Sequence, residues 1–120
     1  MEQSRRKELK EQYQQMKKDM GIFIIRSKTN NKCYIQTSKD LKGAINSTKL
    51  KLSVGSHPYR ELQKEWNDFG QDKFTIEILE KLEYDEDESK TDYAEDLSLL
   101  QLIWEEKLTG QNVGFYGKRL

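Results

Sequence analysis

The chain has 120 residues, enough for one domain around one core. Only 34% of the residues are apolar and 35% are charged, which implies a modest core under a heavily solvated surface. No apolar run approaches the roughly 18 residues that a membrane-spanning helix needs, so no membrane role is expected.

The formal charge is zero overall but unevenly placed. Residues 1–64 hold 15 Lys and Arg against 6 Asp and Glu, a net +9, and residues 65–120 hold 6 against 15, a net −9. Such asymmetry is compatible with a surface that meets a polyanion, or with two halves that attract each other when folded. The single cysteine, Cys33, excludes an internal disulfide and a cysteine metal cluster, and it suggests a reducing, cytoplasmic location. With no activating base in its neighbourhood, Cys33 reads as a small core filler.

In chain order, the first 18 residues have helical spacing. Leu9, Tyr13, Met16 and Met20 share one face, and Arg5, Arg6, Lys7, Lys10, Lys17 and Lys18 fill the rest. Residues 1–19 are therefore expected to form an N-terminal helical extension, with the domain proper over 20–120. Gly21-Ile22-Phe23-Ile24-Ile25 and Lys32-Cys33-Tyr34-Ile35-Gln36-Thr37 read as paired strands, joined by a turn through Lys28-Thr29-Asn30-Asn31. Asparagine tolerates the positive φ that a tight turn requires.

A short helix is expected from Ser38-Lys39-Asp40-Leu41, with Leu41 and Ile45 inward. From Thr48 to Ser56 the alternation of Leu50, Leu52 and Val54 with polar residues suggests a loop or short strand. A second helix is expected to open at Ser56-His57-Pro58, to carry Tyr59, Leu62, Trp66 and Phe69, and to stop at Gly70. His57 reads as a cap or surface residue, with an approach to Tyr34 as the alternative. A third strand follows over 74–80, then an acidic loop over 85–88. A last helix runs from about Thr91 or Asp92 to Leu108, with Leu97, Leu100, Trp104 and Leu108 on one side. The expected class is α+β, a small three-stranded antiparallel sheet flanked by helices.

The tripeptides Gly21-Ile22-Phe23 and Tyr34-Ile35-Gln36, on neighbouring strands, resemble the two signature tripeptides of the GIY-YIG nuclease family. The likeness continues through Leu62 to Phe74 and through Ile78-Leu79-Glu80, covering roughly residues 20–110. The resemblance implies phosphodiester cleavage by a water molecule and one divalent metal. A tyrosine from each tripeptide positions or deprotonates the water, an arginine with a nearby histidine stabilises charge on phosphorus, and a glutamate anchors the metal. Carried onto this chain, the second tyrosine is Tyr34. The first falls on Phe23, the arginine on Ala44, the histidine on Thr48 and the glutamate on Gln101.

What the resemblance implies is therefore a domain that keeps the fold without the cleavage machinery, a non-catalytic protein that binds DNA or RNA or acts as a regulator. The expected nucleic-acid face comprises Arg26, Lys28, Lys32, Lys39, Lys42, Lys49 and Lys51, with Phe23 and Tyr34 beside them. No cofactor is expected. One alternative is a magnesium-dependent endonuclease that uses Glu105, one turn after Gln101. The other is a protein-interaction module acting through Leu9, Tyr13 and Met16.

Overall fold

The computed structural model describes residues 17–116. The N-terminal helix expected from Leu9, Tyr13 and Met16 lies outside them. Met20, expected on that helix, lies in a strand. It opens the first strand, β1 (Met20–Ser27), paired opposite Leu82 and buried.

Strand β1 pairs antiparallel with β2 (Lys32–Ser38) as the hairpin predicts, with Ile24 opposite Ile35 and Ile25 opposite Tyr34. The connecting turn closes on Asn31, whose φ of 55° is the left-handed conformation that asparagine tolerates. On its other side β1 pairs antiparallel with β3 (Phe74–Leu82). Gly21 is required by that contact, because a Cβ there would stand 2.1 Å from the Glu80 carbonyl oxygen. The glycine of the first tripeptide is thus a packing requirement of the sheet.

Helix α1 (Leu41–Val54) is longer than expected and absorbs the segment read as a loop or short strand. Asp40 caps it by accepting from the Gly43 amide at 3.1 Å, and Gly55 ends it in a left-handed conformation (φ 78°). The Leu50-Leu52-Val54 alternation misleads because only Leu52 is inward, while Leu50 and Val54 are 65% and 66% exposed. Leu41, Thr48 and Leu52 supply the buried face at helical spacing. Helix α2 (Arg60–Phe69) begins two residues after Pro58, and Gly70 stops it by donating to the Trp66 carbonyl at 3.0 Å. Helix α3 (Ala94–Gly110) buries Leu97, Leu100 and Leu108.

The sheet differs from expectation in one respect. It has four strands in the order β3-β1-β2-β4, and β4 (Gly114–Phe115) runs parallel to β2. The chain reverses through Asn112 (φ 61°), and the Tyr116 amide donates to the Cys33 carbonyl at 2.8 Å. A two-residue strand is too short to leave a periodic signal.

Side chains alternate across the sheet. Phe23, Ile25 and Tyr34 pack with Leu41, Leu52, Leu62, Phe74 and Tyr116 under α1 and α2. Ile22, Ile24, Cys33 and Ile35 pack with Leu100 and Leu108 of α3 on the opposite face. Among the described residues no helix is long and apolar enough to cross a membrane.

Candidate functional site

Strand β2 presents Tyr34 and Gln36 on the α1/α2 side, two residues apart. The Tyr34 hydroxyl donates to Gln36 Oε1 at 2.6 Å. Tyr34 is only 9% exposed, and its ring meets His57 edge-on at 5.2 Å and Tyr59 at 4.9 Å between centroids. Burial, reinforced by the neighbouring Tyr59 phenol, pushes the Tyr34 pKa up to about 12. A phenol that keeps its proton to that pH cannot take one from water near neutrality.

His57 is 6% exposed and lies against Tyr34, so the surface placement expected for it does not hold. Two hydrogen bonds put it there. Its backbone amide donates to Gln63 Oε1 at 3.0 Å, and its Nδ1 accepts from the Tyr59 amide at 3.1 Å. The second bond leaves the proton of the neutral ring on Nε2. Burial, then the Lys51 charge, lower its pKa against the opposing effect of the Tyr59 amide, and the ring is neutral at physiological pH. Gln63 completes the arrangement by donating through Nε2 to the Leu52 carbonyl at 2.9 Å and to Asn67 Oδ1 at 3.0 Å. This buried amide ties the α1–α2 connection to both helices.

An open groove of about 430 Å³ adjoins His57 and is lined by Ser56, Arg60, Gln63, Lys64 and Asn67. It contains two cations one helical turn apart, Arg60 and Lys64, and no carboxylate. Among the described residues neither cation is in an ion pair. Neither is among the basic residues expected from the sequence, which all lie between Arg26 and Lys51. The available signal was their spacing of four in the helix that follows His57.

The remaining positions are distributed as follows. Phe23 is fully buried and offers no surface to a ligand. Ala44 packs against the core cluster that holds Tyr34, and Thr48 is buried on the same helix. Lys51 lies close enough to His57 to lower its pKa. Lys42 and Lys49, seven residues apart, lie about half a turn of the helix from Lys51. Lys49 faces a cleft that Lys28 also lines. Lys42 lines another with Asp19 and Asp40, and Lys39 a third with Tyr84 and Tyr93. Lys32 is hydrogen-bonded to Glu61, which raises its pKa, and Arg26 acts electrostatically on Cys33. The seven basic residues therefore reach several separate places.

Gln101 and Glu105 belong to α3, which packs on the opposite face of the sheet from Tyr34. Gln101 Nε2 donates to Glu105 Oε1 at 3.2 Å. Magnesium needs hard anionic oxygen ligands, and a neutral amide in this role is a poor substitute. Among the described residues no three His, Cys, Asp or Glu side chains are grouped to hold a metal. Gln101, at the position where the resemblance places the anchoring glutamate, does not fit a divalent metal.

The antiparallel β3-β1-β2 core, its flanking helices and the placement of the two tripeptides define a GIY-YIG nuclease-like domain. The chain is similar to a solved structure of the catalytic domain of the intron endonuclease I-TevI, determined as a mutant. The TM-score is 0.62 and the identity 25%, over 80% of this chain and 90% of that one. It is also similar to a structure of the catalytic domain of the homing endonuclease I-TevI, with a TM-score of 0.63 and 25% identity over 82% of this chain and 99% of that one. No family model matches the sequence, and no curated protein matches it.

Proposed function

We propose that this chain is a non-cleaving nuclease-like domain that binds nucleic acid through the groove formed by His57, Arg60 and Lys64. The observation that carries the reading is the state of Tyr34. The residue is buried, its hydroxyl is committed to Gln36 and held protonated, and Ala44, where the resemblance calls for a guanidinium, packs against the same core cluster. Losing one preorganised stabiliser of transition-state charge typically costs about 10²–10³ in rate. The groove beside it keeps positive charge without acid, which suits a phosphate backbone. The same proposal keeps the domain in the cytoplasm, since its lone thiol is buried and has no second cysteine within the 120 residues.

Binding of this kind is largely independent of base sequence and strongly salt-dependent. Fluorescence anisotropy with a labelled duplex should show affinity falling steeply as salt rises. Arg60→Ala and Lys64→Ala should each reduce the slope of log K against log salt by about 1. A flat salt response, or no binding of DNA or RNA at low salt, would refute the proposal.

A further inference from the structure

A second cleft lies along the edge strand β3, separate from the His57 groove. It has a volume of about 570 Å³, and its walls include Lys28, Lys49, Trp66, Asp72, Phe74 and Ile76. Three elements, a turn and the 3-10 helix Gln71–Lys73, which carries Asp72, converge there. Lys28 comes from the β1–β2 turn, Lys49 from α1, Trp66 from α2, and Phe74 and Ile76 from β3. The residues fall into three chemical groups, each suited to a different part of one ligand.

Trp66 and Phe74 stack at 5.2 Å with a 32° tilt, and Phe74 is buried while Trp66 is half-buried. The indole is held against Phe74 and lines the cleft with it, an aromatic surface on which a planar ring can stack. Lys28 and Lys49 are exposed, and among the described residues neither is in an ion pair. Both ammonium groups are available to an anion. Asp72 is the lone carboxylate of the lining, so the cleft carries a net charge of only +1 and suits one phosphate better than a run of them. A carboxylate also accepts hydrogen bonds from the amino or imino edge of a base.

A flat ring, one phosphate and a donor-bearing edge occur together in a nucleotide whose base is not paired. We propose that this cleft takes a single unpaired nucleotide, its base stacked on Trp66 and its phosphate between Lys28 and Lys49. A base inside a duplex has its edge paired and both faces stacked on its neighbours, so the cleft selects a single strand or a flipped base over an intact duplex. This rests on the nucleic-acid reading above and adds a second contact to it.

The test uses the full chain carrying Trp104→Phe, which leaves Trp66 as its sole tryptophan. A labelled single-stranded DNA of about ten nucleotides is titrated at low salt, following anisotropy and tryptophan fluorescence together, and the matching duplex is titrated in parallel. The expected result is saturable quenching of Trp66 by the single strand and none by the duplex. Without the Trp104 change, Trp66→Leu should weaken single-strand binding roughly 10- to 100-fold. Lys28→Ala with Lys49→Ala, at exposed positions that leave the core intact, should weaken it on the order of 10-fold and change duplex binding much less. Binding by anisotropy without quenching would overturn the cleft assignment and leave the nucleic-acid reading standing. Equal quenching by single strand and duplex, or unchanged affinity in the double lysine variant, would also overturn it. No binding of either form would overturn both.

Discussion

The two faces of the sheet are built to different ends. On the α3 side, Ile22, Ile24, Cys33 and Ile35 meet Leu100 and Leu108 in an apolar layer. Even the thiol there is inert, since burial pushes Cys33 up to about 11. On the α1/α2 side the core admits polar groups, and Tyr34, Thr48, His57 and Gln63 are all buried within it. Tyr34 is hydrogen-bonded to Gln36, and His57 and Gln63 are bonded to each other and to Tyr59, Leu52 and Asn67. The comparison teaches that a small core can hold polar groups where each has a hydrogen-bond partner close by. Where the resemblance asks for reactive groups, Phe23 and Ala44 pack, and the polar groups that remain hold one another still.

The largest way to break this comparison is at Phe23. Phe23→Ala should cost about 3–5 kcal/mol in chemical denaturation, as expected for a fully buried aromatic ring. Phe23→Tyr restores the family tyrosine on paper but forces a hydroxyl into a filled core. It should cost about 1–3 kcal/mol if that hydroxyl finds no partner, and it should produce no cleavage.

Alkaline pH comes next. Tyr34 titrates higher in the folded chain than unfolded, so its contribution is fully present below about pH 10. It should be lost as pH rises from about 10 to about 12, on the order of 2–3 kcal/mol. Tyr34→Phe should flatten that loss without removing it, because Tyr116, buried on the same face, is raised as well, chiefly by burial. An unchanged alkaline slope in the variant would show that the phenol is not held as described.

A smaller effect is expected on the acid side. The His57 pKa is lowered by folding, so its contribution is present above the unfolded value of about 6.5. As pH falls below 6.5 the unfolded chain takes up the proton first, and stability should decline towards the lower folded value. His57→Gln should lessen that decline between about pH 6.5 and 5, before the carboxylates titrate. The smallest effect on stability belongs to Arg60→Ala, within about 0.5 kcal/mol, although the same change should reduce the salt slope of binding.

Much of the fold was legible in the sequence because its signals are local. The β-branched run at Ile22–Ile25 and the Asn30-Asn31 turn define the hairpin, and Gly70 marks the end of α2. The second half of α1 was not legible, because two solvent-facing apolar residues, Leu50 and Val54, imitate the alternation of a strand. Strand β4 was hidden by its length and by pairing across some eighty residues. The site was only half legible. The tripeptides located Tyr34, but the depth of His57 depends on Gln63 and Tyr59, contacts that no spacing along the chain reveals. The lysines looked like one patch because they are close in sequence, whereas helical geometry sends Lys49 and Lys51 to different sides.

The most direct test is to incubate the purified protein with supercoiled plasmid at low salt in the presence of magnesium or manganese. The plasmid should be retarded on a gel as protein is added and, after the protein is stripped off, should run as intact supercoiled DNA. Nicked or linear plasmid made by the parent chain and lost in Glu105→Ala would contradict this, and would show that phosphodiester chemistry survives with a carboxylate one turn from the expected position.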